Sequence, residues 1–340
     1  MSDELRARCR ALKALVGNTP LLGIRCTWGG RAYTIHAKLE TLNPTGSVKD
    51  RMALQILEEA IESGAIDEES TIVEATSGNT GIAFASLGRA LGLAVRIYMP
   101  DWMSRERKQL MASFGADVVD ITKDEGGFLG SIRRAREDGA SDPHVFLPSQ
   151  FENPANARAH SQGTGPEILR QLEDQGLRPT GFVAGVGTGG TVMGVAEVFR
   201  PMGATVHPLE PSNSPTLRTG HRVGAHRIQG ISDEFIPELL RLDELDSIVD
   251  VDDGDAILMA QKLSSVLGLG LGISSGANFL GALQVAREQG EGAVVATVFA
   301  DSNKKYLSTD LFREESIQSD HITPDVELLS FSARRHDPRG

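Results

Sequence analysis

The chain has 340 residues, of which 40% are hydrophobic and 37 are glycine, so it can form one large domain or two medium ones with a substantial core. Its formal net charge of −12 argues against a nucleic acid or an anionic membrane as partner, because both would repel it. Small anionic ligands stay possible, since they respond to local charge.

Cysteine usage and the N-terminus indicate a cytoplasmic protein. The two cysteines, Cys9 and Cys26, have neither metal-ligand spacing nor a disulfide framework. The first 22 residues mix charged and apolar residues and lack the apolar core of a signal peptide. No stretch approaches the roughly 18 apolar residues needed to span a bilayer. The eight histidines form no metal pair at helical spacing, so we expect no metal site.

Short β-branched segments alternate with longer amphipathic ones along the chain. The predicted strands and helices, in chain order, are a strand at 71–74, a helix at 78–91, a strand at 94–99, a helix at 105–114, a strand at 117–120, a strand at 182–184, a helix at 190–199, strands at 205–209 and 293–299, and a final apolar helix. This alternation predicts the α/β class with open, mostly parallel sheets.

Two such arrays predict two α/β domains, and a cleft between domains is a favoured place for a ligand. We expect a smaller, mobile domain at residues 42–153 and a larger domain at 1–41 and 154–325. Residues 326–340 are polar at their end and are predicted to be a flexible tail.

A glycine-rich loop at residues 185–191 follows a predicted strand and precedes a predicted helix. Such a loop directs backbone N–H groups and a helix N-terminus at an anion. Its spacing matches neither the dinucleotide fingerprint nor the nucleotide P-loop, so a monophosphate is the favoured ligand. The alternative is a tight turn that needs glycine for steric reasons only.

A second loop, at residues 76–81, also lies between a strand and a helix. Its Thr, Ser and Asn side chains suit a carboxylate, and Asn79 can hydrogen-bond a phenolic oxygen. Helix capping by Ser77 or Asn79 is the alternative. Lys49 lies in a third segment, after Pro-Thr-Gly-Ser-Val and before an apolar helix. A lysine turned inward there can form a Schiff base if burial lowers its pKa.

Together with further segments, these three loops resemble the cysteine synthase family, which is close to the cystathionine β-synthases and comprises pyridoxal-phosphate (PLP) enzymes of the second fold type. The resemblance spans roughly residues 10 to 312. The further segments are 17–21, 151–156, 164–167 and 306–309. The implied fold is the tryptophan synthase β-like one, with the active site in the cleft between two domains.

The resemblance implies a role for each matching position. Lys49 would carry PLP as an internal aldimine and move the substrate α-proton, and Asn79 would contact the cofactor 3-hydroxyl. The cofactor phosphate would bind at Gly187, Thr188, Gly189, Gly190 and Thr191. The substrate carboxylate would bind at Thr76, Ser77, Gly78, Thr80 and Gln150.

Ser274 would contact the pyridine nitrogen, although spacing alone does not separate it from Ser275. A neutral hydroxyl there does not keep the ring protonated, which disfavours a long-lived carbanion. Chemistry that expels a β-leaving group and passes through an aminoacrylate suits such a site.

One loop departs from the family pattern. Residues 230–237 read Gly-Ile-Ser-Asp-Glu-Phe-Ile-Pro, where cysteine synthases have small residues in the middle. Asp233 can receive a substrate ammonium or assist proton transfer, which makes it a second candidate catalytic residue. The alternative is a solvated charge pair with Glu234, since acidic residues are mostly exposed.

The resemblance predicts a cysteine synthase that converts O-acetylserine and sulfide to L-cysteine and acetate. The alternatives are a cysteine β-lyase (desulfhydrase) and a lanthionine- or cystathionine-forming β-replacement enzyme. A third possibility is that the chain is not primarily an enzyme but a catalytically weak PLP-binding partner of serine acetyltransferase. The expected assembly is a homodimer, with neither nucleic acid nor membrane as partner.

Overall fold

The computed structural model describes residues 3–76, 78–231 and 235–336. The chain divides into two compact units. The first comprises Met1–Gly17 and Asn43–Asn156, and the second comprises Asn18–Leu42 and Ala157–Gly340. These boundaries differ from the predicted ones, because residues 1–17 group with the first unit and its second segment ends at 156 instead of 153.

The strands and helices are numbered along the chain. The strands are β1 (Leu21–Trp28), β2 (Arg31–Leu39), β3 (Thr71–Ala75), β4 (Ala94–Pro100), β5 (Asp117–Ile121), β6 (Val145–Phe146), β7 (Gly181–Gly185), β8 (Thr205–Pro211), β9 (Val249–Val251), β10 (Val295–Phe299) and β11 (Val326–Arg334). The helices are α1 (Asp3–Lys13), α2 (Lys49–Ser63), α3 (Asn79–Leu91), α4 (Arg105–Ser113), α5 (Gly127–Ser141), α6 (Ala155–Ala159), α7 (Gly165–Glu173), α8 (Gly190–Phe199), α9 (Thr216–Thr219), α10 (Asp253–Leu267) and α11 (Ile273–Gln289).

The described part of the first unit is built on a four-stranded parallel sheet in the order β5-β4-β3-β6. Helix α3 is apolar on most of its surface, and Ile82, Phe84 and Leu87 are buried. At Gly88 a Cβ atom would lie 2.6 Å from Cγ2 of Val95. Glycine therefore lets α3 approach β4 closely, which fixes the strand-to-helix loop that precedes α3.

The described part of the second unit contains a seven-stranded sheet in the order β11-β1-β2-β10-β7-β8-β9. The five strands from β2 to β9 in that order are parallel, while β1 is antiparallel to both β2 and β11. Strands β7 and β10 are almost fully buried and apolar, as expected for parallel strands covered on both faces. The predicted α/β class with mostly parallel sheets is confirmed.

Two predictions for the C-terminal region were wrong. Residues 326–334 form β11, which pairs with β1 along the whole of that strand, so this part is not a flexible tail. The last α-helix of the described residues, α11, precedes β10, and only short 3-10 turns and β11 follow that strand. Val326 and Leu328 alone point from β11 into the core, which left too short an apolar pattern to predict a strand.

Candidate active site

Lys49 is the first residue of α2, and its segment is held by a buried carboxylate. The amide of Thr45 donates to Oδ2 of Asp50 at 2.7 Å, and the Thr45 hydroxyl donates to Oδ1. Gly46 has a φ of 77°, a left-handed conformation that favours glycine. The apolar face of α2 is buried in the core of the first unit. The start of the helix is therefore fixed, and the Lys49 side chain is half-buried.

The loop at 76–81 joins β3 to α3, as predicted. Thr76 is buried, and its hydroxyl accepts a hydrogen bond from the amide of Gly78 at 3.1 Å. Gly78 is the residue before the first turn of α3 and has no side chain that could cap the helix, which weakens the capping interpretation for Asn79. Ser77 lies outside the described residues.

Thr80 and Gln150 contact each other. The Thr80 hydroxyl donates to Oε1 of Gln150 at 2.6 Å, and Nε2 of Gln150 donates to the carbonyl of Ala75 at 3.0 Å. Both side chains are buried. Ser149, which precedes Gln150, has a left-handed φ of 53°, a strained conformation for a non-glycine residue. Two residues assigned to the substrate carboxylate thus share one local network.

Glu74 lies under the same network. Its Oε1 accepts from the amide of Ala75 at 2.9 Å, and its Oε2 accepts from the amide of Gln150 at 3.3 Å. Burial disfavours the charged form and raises the pKa of Glu74 to about 7, although these two hydrogen bonds oppose the shift. The carboxyl group beneath the loop is therefore largely protonated below neutral pH.

Sequence analysis did not identify Arg107, which lies against this loop. Arg107 projects from α4 and is buried, and a Cβ atom at Gly78 would lie 2.8 Å from its Nε. Gly78 is thus needed for space. The guanidinium places a positive charge beside the segment that is expected to receive a carboxylate. The sequence carried no signal for this contact, because 29 positions separate the two residues.

In the second unit, the glycine-rich loop runs from the end of β7 to the start of α8. Gly189 has a φ of 82° and precedes the first turn of α8 without a side-chain cap. A Cβ atom at Gly187 would lie 2.4 Å from the carbonyl oxygen of Gly230. Thr188 is buried. The first N–H groups of a helix have no intrahelical acceptor, so this loop offers donors of the kind that an anion would need.

Two residues that the sequence analysis did not single out hold this loop. The buried ring of His160 hydrogen-bonds Oγ1 of Thr191 at 3.2 Å through Nε2 and Oγ1 of Thr164 at 2.8 Å through Nδ1. His160 begins a π-helical turn, a feature often found at functional sites. Asn278 accepts from the amide of Gly185 at 2.8 Å. The sequence analysis assigned His160 no special role and did not consider Asn278, because nothing in their local sequence is distinctive.

Ser274 and Ser275 differ in their hydrogen bonds. The Ser275 hydroxyl accepts from the amide of Ala300 at 3.0 Å and is fully buried. Ser274 is also buried, but its hydroxyl has no partner among the residues that the structure describes. Both serines lie in the first turn of α11. The hydroxyl that can accept a ligand is therefore that of Ser274.

Asp233 and Glu234, like Ser232, lie outside the described residues, but Gly230 and Ile231 are described. Ile231 contacts the glycine-rich loop, since a Cβ atom at Gly185 would lie 2.8 Å from its Cγ2. The segment that leads to Asp233 therefore begins against the glycine-rich loop.

The described groups fit PLP. Glycine at Gly185 and Gly187 leaves room for Ile231 and Gly230 to pack against the loop at 185–191, and the loop offers helix N–H groups and hydroxyls to a phosphate. The buried Ser274 hydroxyl is available to a neutral ring nitrogen.

No helix of the described residues has the length and apolar character needed to cross a membrane.

Comparisons with known proteins agree with this chemistry. A family model described as "Pyridoxal-phosphate dependent enzyme" matches residues 12–301. A probable cysteine synthase of Bacillus subtilis is 41% identical over 300 residues, which cover 88% of this chain and 96% of the relative.

Two solved structures are also similar. A hydrogen sulfide-producing enzyme from Fusobacterium nucleatum is 52% identical with a TM-score of 0.95, and the match covers 97% of this chain and 100% of that one. An Asp-to-Asn mutant of that enzyme was solved as a complex with an α-aminoacrylate intermediate. A cysteine synthase from Entamoeba histolytica is 33% identical with a TM-score of 0.82, covering 92% and 94% of the two chains.

Proposed function

Since the chain belongs to the pyridoxal-phosphate dependent enzyme family, we propose that it catalyses β-replacement on a serine derivative, with O-acetylserine and sulfide giving L-cysteine and acetate. The observation that carries this proposal is the family match over residues 12–301, a range that contains every predicted site residue. The cysteine synthases among the relatives support the choice of reaction.

In the first unit, Lys49 is the residue that would hold PLP covalently through Nζ and then accept the proton from Cα of the substrate. Asn79 would hydrogen-bond the 3-hydroxyl of PLP. The substrate carboxylate would bind the loop at 76–81 and Gln150, where the positive charge of Arg107 favours an anion. The network of Thr80 and Gln150 would keep these groups in place before substrate arrives.

In the second unit, the loop from Gly187 to Thr191 would hold the phosphate of PLP, and His160 would orient the Thr191 hydroxyl. Ser274 would face the pyridine nitrogen. Bound PLP supplies an electron-withdrawing ring that makes loss of the α-proton and the β-leaving group possible. Because a hydroxyl does not protonate the ring, the site favours departure of the β-group in step with proton removal.

The experiment that tests this proposal offers O-acetylserine, O-phosphoserine, serine and cysteine separately, each with and without sulfide. We expect rapid formation of cysteine and acetate from O-acetylserine and sulfide. The assignment fails if O-acetylserine is not consumed while another of these compounds is.

A second candidate reaction, β-elimination from cysteine with release of sulfide, is favoured by one specific comparison. The hydrogen sulfide-producing enzyme is 52% identical to this chain, against 41% for the Bacillus subtilis relative. Both reactions begin with removal of the α-proton and differ in leaving group and nucleophile.

Asp233 is the residue that would shift the balance, because a carboxylate there can bind an ammonium or take a proton. Asp233→Asn and, as a control, Glu238→Gln test this role. We expect Asp233→Asn to change the ratio of sulfide release to cysteine formation more than it changes PLP binding. Equal effects on both reactions would support the alternative that Asp233 is a solvated surface charge without a role in catalysis.

For the assembly, the proposal is a cytoplasmic homodimer that can bind serine acetyltransferase. The support is the family resemblance alone. Light scattering on the purified holoenzyme should give twice the chain mass, and addition of a serine acetyltransferase should give a larger complex. A monomer that does not bind the acetyltransferase would contradict both the proposed homodimer and the proposed complex.

A further inference from the structure

The described C-terminal residues 302–336 lie beyond the range that the family model matches, yet parts of this segment pair with β1 and bond to α10 in the second unit. One contact from this segment reaches Arg227, which lies just before the 230–237 loop. Nη1 of Arg227 donates to Oε2 of Glu315 at 2.5 Å, and Nη2 donates to Oε1 of the same residue at 3.0 Å. This is a two-point contact between a guanidinium and a carboxylate.

Arg227 is also bound to the start of α10. Its Nη2 and Nε donate to Oδ1 of Asp253 at 2.7 and 3.1 Å, and its backbone amide donates to Oδ2 at 2.8 Å. The side chains of Asp253 and Glu315 are only 8% and 12% exposed, so both carboxylates are largely removed from solvent, while the shared Arg227 side chain is 38% exposed and partly screened. The backbone of residue 227 is therefore fixed as well as its side chain.

Only two residues separate Arg227 from Gly230, which lies against the loop proposed to bind the phosphate. The carbonyl oxygen of Gly230 would lie 2.4 Å from a Cβ atom at Gly187, and Ile231 contacts Gly185. Ile228, between them, is fully buried. The position of Arg227 thus sets where the backbone of Gly230 lies against the loop.

The segment that carries Glu315 is itself anchored. Nε2 of Gln261 donates to the carbonyls of Leu311 and Arg313 at 3.0 and 2.8 Å. Further along, the amides of Ile322 and Thr323 donate to the carboxylate of Asp255 at 2.9 and 3.0 Å. The backbone that carries Glu315 is thus held by hydrogen bonds both before and after this residue.

We propose that the cluster of Arg227, Asp253 and Glu315 is a positioning device for the cofactor site, in which the C-terminal segment holds Gly230 against the phosphate-binding loop. Within the part of the chain that the structure describes, the Glu315 carboxylate accepts from Arg227, and it acts through that residue. The consequence is that retention of PLP depends on a carboxylate outside the matched family range. This inference rests on the proposed placement of the PLP phosphate at residues 187–191.

The test compares the full-length protein with Glu315→Gln, Glu315→Asp and Asp310→Asn. The control residue Asp310 lies on the same segment and forms an exposed ion pair with Arg313. For each variant, the PLP dissociation rate is measured by transfer from the holoenzyme to an excess of a second PLP-requiring apoenzyme. Melting temperatures are recorded with and without PLP. Neither readout uses turnover.

We expect Glu315→Gln to release PLP about tenfold faster. Loss of a residue that supports a metal ligand typically weakens metal binding about 10- to 100-fold, and we expect the lower end of that range for a cofactor site. The difference in melting temperature between holo- and apoenzyme should shrink. Glu315→Asp should restore part of both, and Asp310→Asn should match the unchanged protein. A purely structural role would lower both melting temperatures equally and leave PLP release unchanged, which would overturn the proposal.

Gly187→Ala separates this inference from the placement on which it rests. If Gly187→Ala speeds PLP release and Glu315→Gln does not, only the positioning role of the cluster fails. If neither variant affects PLP release, the placement of the phosphate at this loop fails too. The choice between cysteine synthesis and lysis affects neither outcome.

Discussion

The hydroxyl of Thr80 donates a hydrogen bond to Oε1 of Gln150 at 2.6 Å, although the two residues are 70 positions apart. The side-chain Nε2 of Gln150 donates to the carbonyl of Ala75, so both ends of the Gln150 side-chain amide are held. The described residues leave one N–H of this side-chain amide for another acceptor. In the proposed function, this N–H is a donor to the substrate carboxylate.

Thr80→Val and Gln150→Ala should each raise KM for the amino-acid substrate about tenfold, the size of one lost hydrogen bond of 1–2 kcal/mol. The double variant should lose less than the product of the two single effects, because the residues act as one unit. Steady-state kinetics of the four proteins measure this coupling. Gln55→Ala, on the outer part of α2, is the control. Fully multiplicative effects would show that the two residues act separately.

The site loops could be predicted from sequence because each joins a β-branched strand to a helix through glycines and hydroxyl residues. The order of residues along the chain is enough to predict such loops. The observed bounds of β3, α3, β7 and α8 agree with the predicted ranges within one or two residues. The residues that support the loops could not be found this way. Arg107 and His160 reach them from distant helices, and only tertiary packing brings them near.

The pKa of Glu74 predicts how the stability of the first unit depends on pH. The folded protein holds a proton up to about pH 7, whereas the unfolded chain loses it near its ordinary value of 4.5. Stability should therefore fall as pH rises from 4.5 to 7 and level off above. Glu74→Gln should remove this slope, while its side-chain NH2 group cannot replace a carboxyl oxygen as an acceptor, so it cannot accept from the amides of Ala75 and Gln150 at once as the carboxyl group does. Urea unfolding at pH 5 and pH 8 measures it.

Glu69→Gln, an exposed position in the same unit, serves as the control for Glu74. Its unfolding curve should follow that of the unchanged protein at both pH values. Parallel curves for Glu74→Gln as well would mean that this carboxyl group ionises normally in the folded state.

Gly187→Ala should weaken PLP binding because the added methyl group would meet the carbonyl oxygen of Gly230 at 2.4 Å. The loop would have to shift, which would displace the N–H groups that are proposed to bind the PLP phosphate. Titration of the apoenzyme with PLP, followed by absorbance, should show at least about a tenfold weaker affinity, a loss of roughly 1.4 kcal/mol. Gly203→Ala is the control. Gly203 has a left-handed backbone conformation that disfavours alanine, and an added Cβ atom there would meet no described atom within 4 Å. Gly203→Ala should lower stability and leave PLP affinity unchanged.

Ser274→Ala and Ser275→Ala should affect different properties. Ser275→Ala removes the hydroxyl that accepts from Ala300, so it should cost about 1 kcal/mol of stability. Ser274→Ala should change the spectrum of bound PLP and lower turnover moderately with little effect on stability. Ser274→Asp should favour transamination, because a carboxylate keeps the ring protonated. The reverse pattern would assign the pyridine contact to Ser275.

Lys49→Ala tests the residue on which the reaction depends. Lys49 begins a helix whose first turn is fixed by Asp50 and whose apolar face is buried, so truncating its half-buried side chain should leave the fold intact. The visible absorbance of lysine-linked PLP and essentially all turnover should be lost, since no other base is assigned to the α-proton. Lys108→Ala, a surface lysine of the same unit paired with Asp120, is the matched control and should keep both. A Lys49→Ala protein that still shows the visible band would place the cofactor on another lysine.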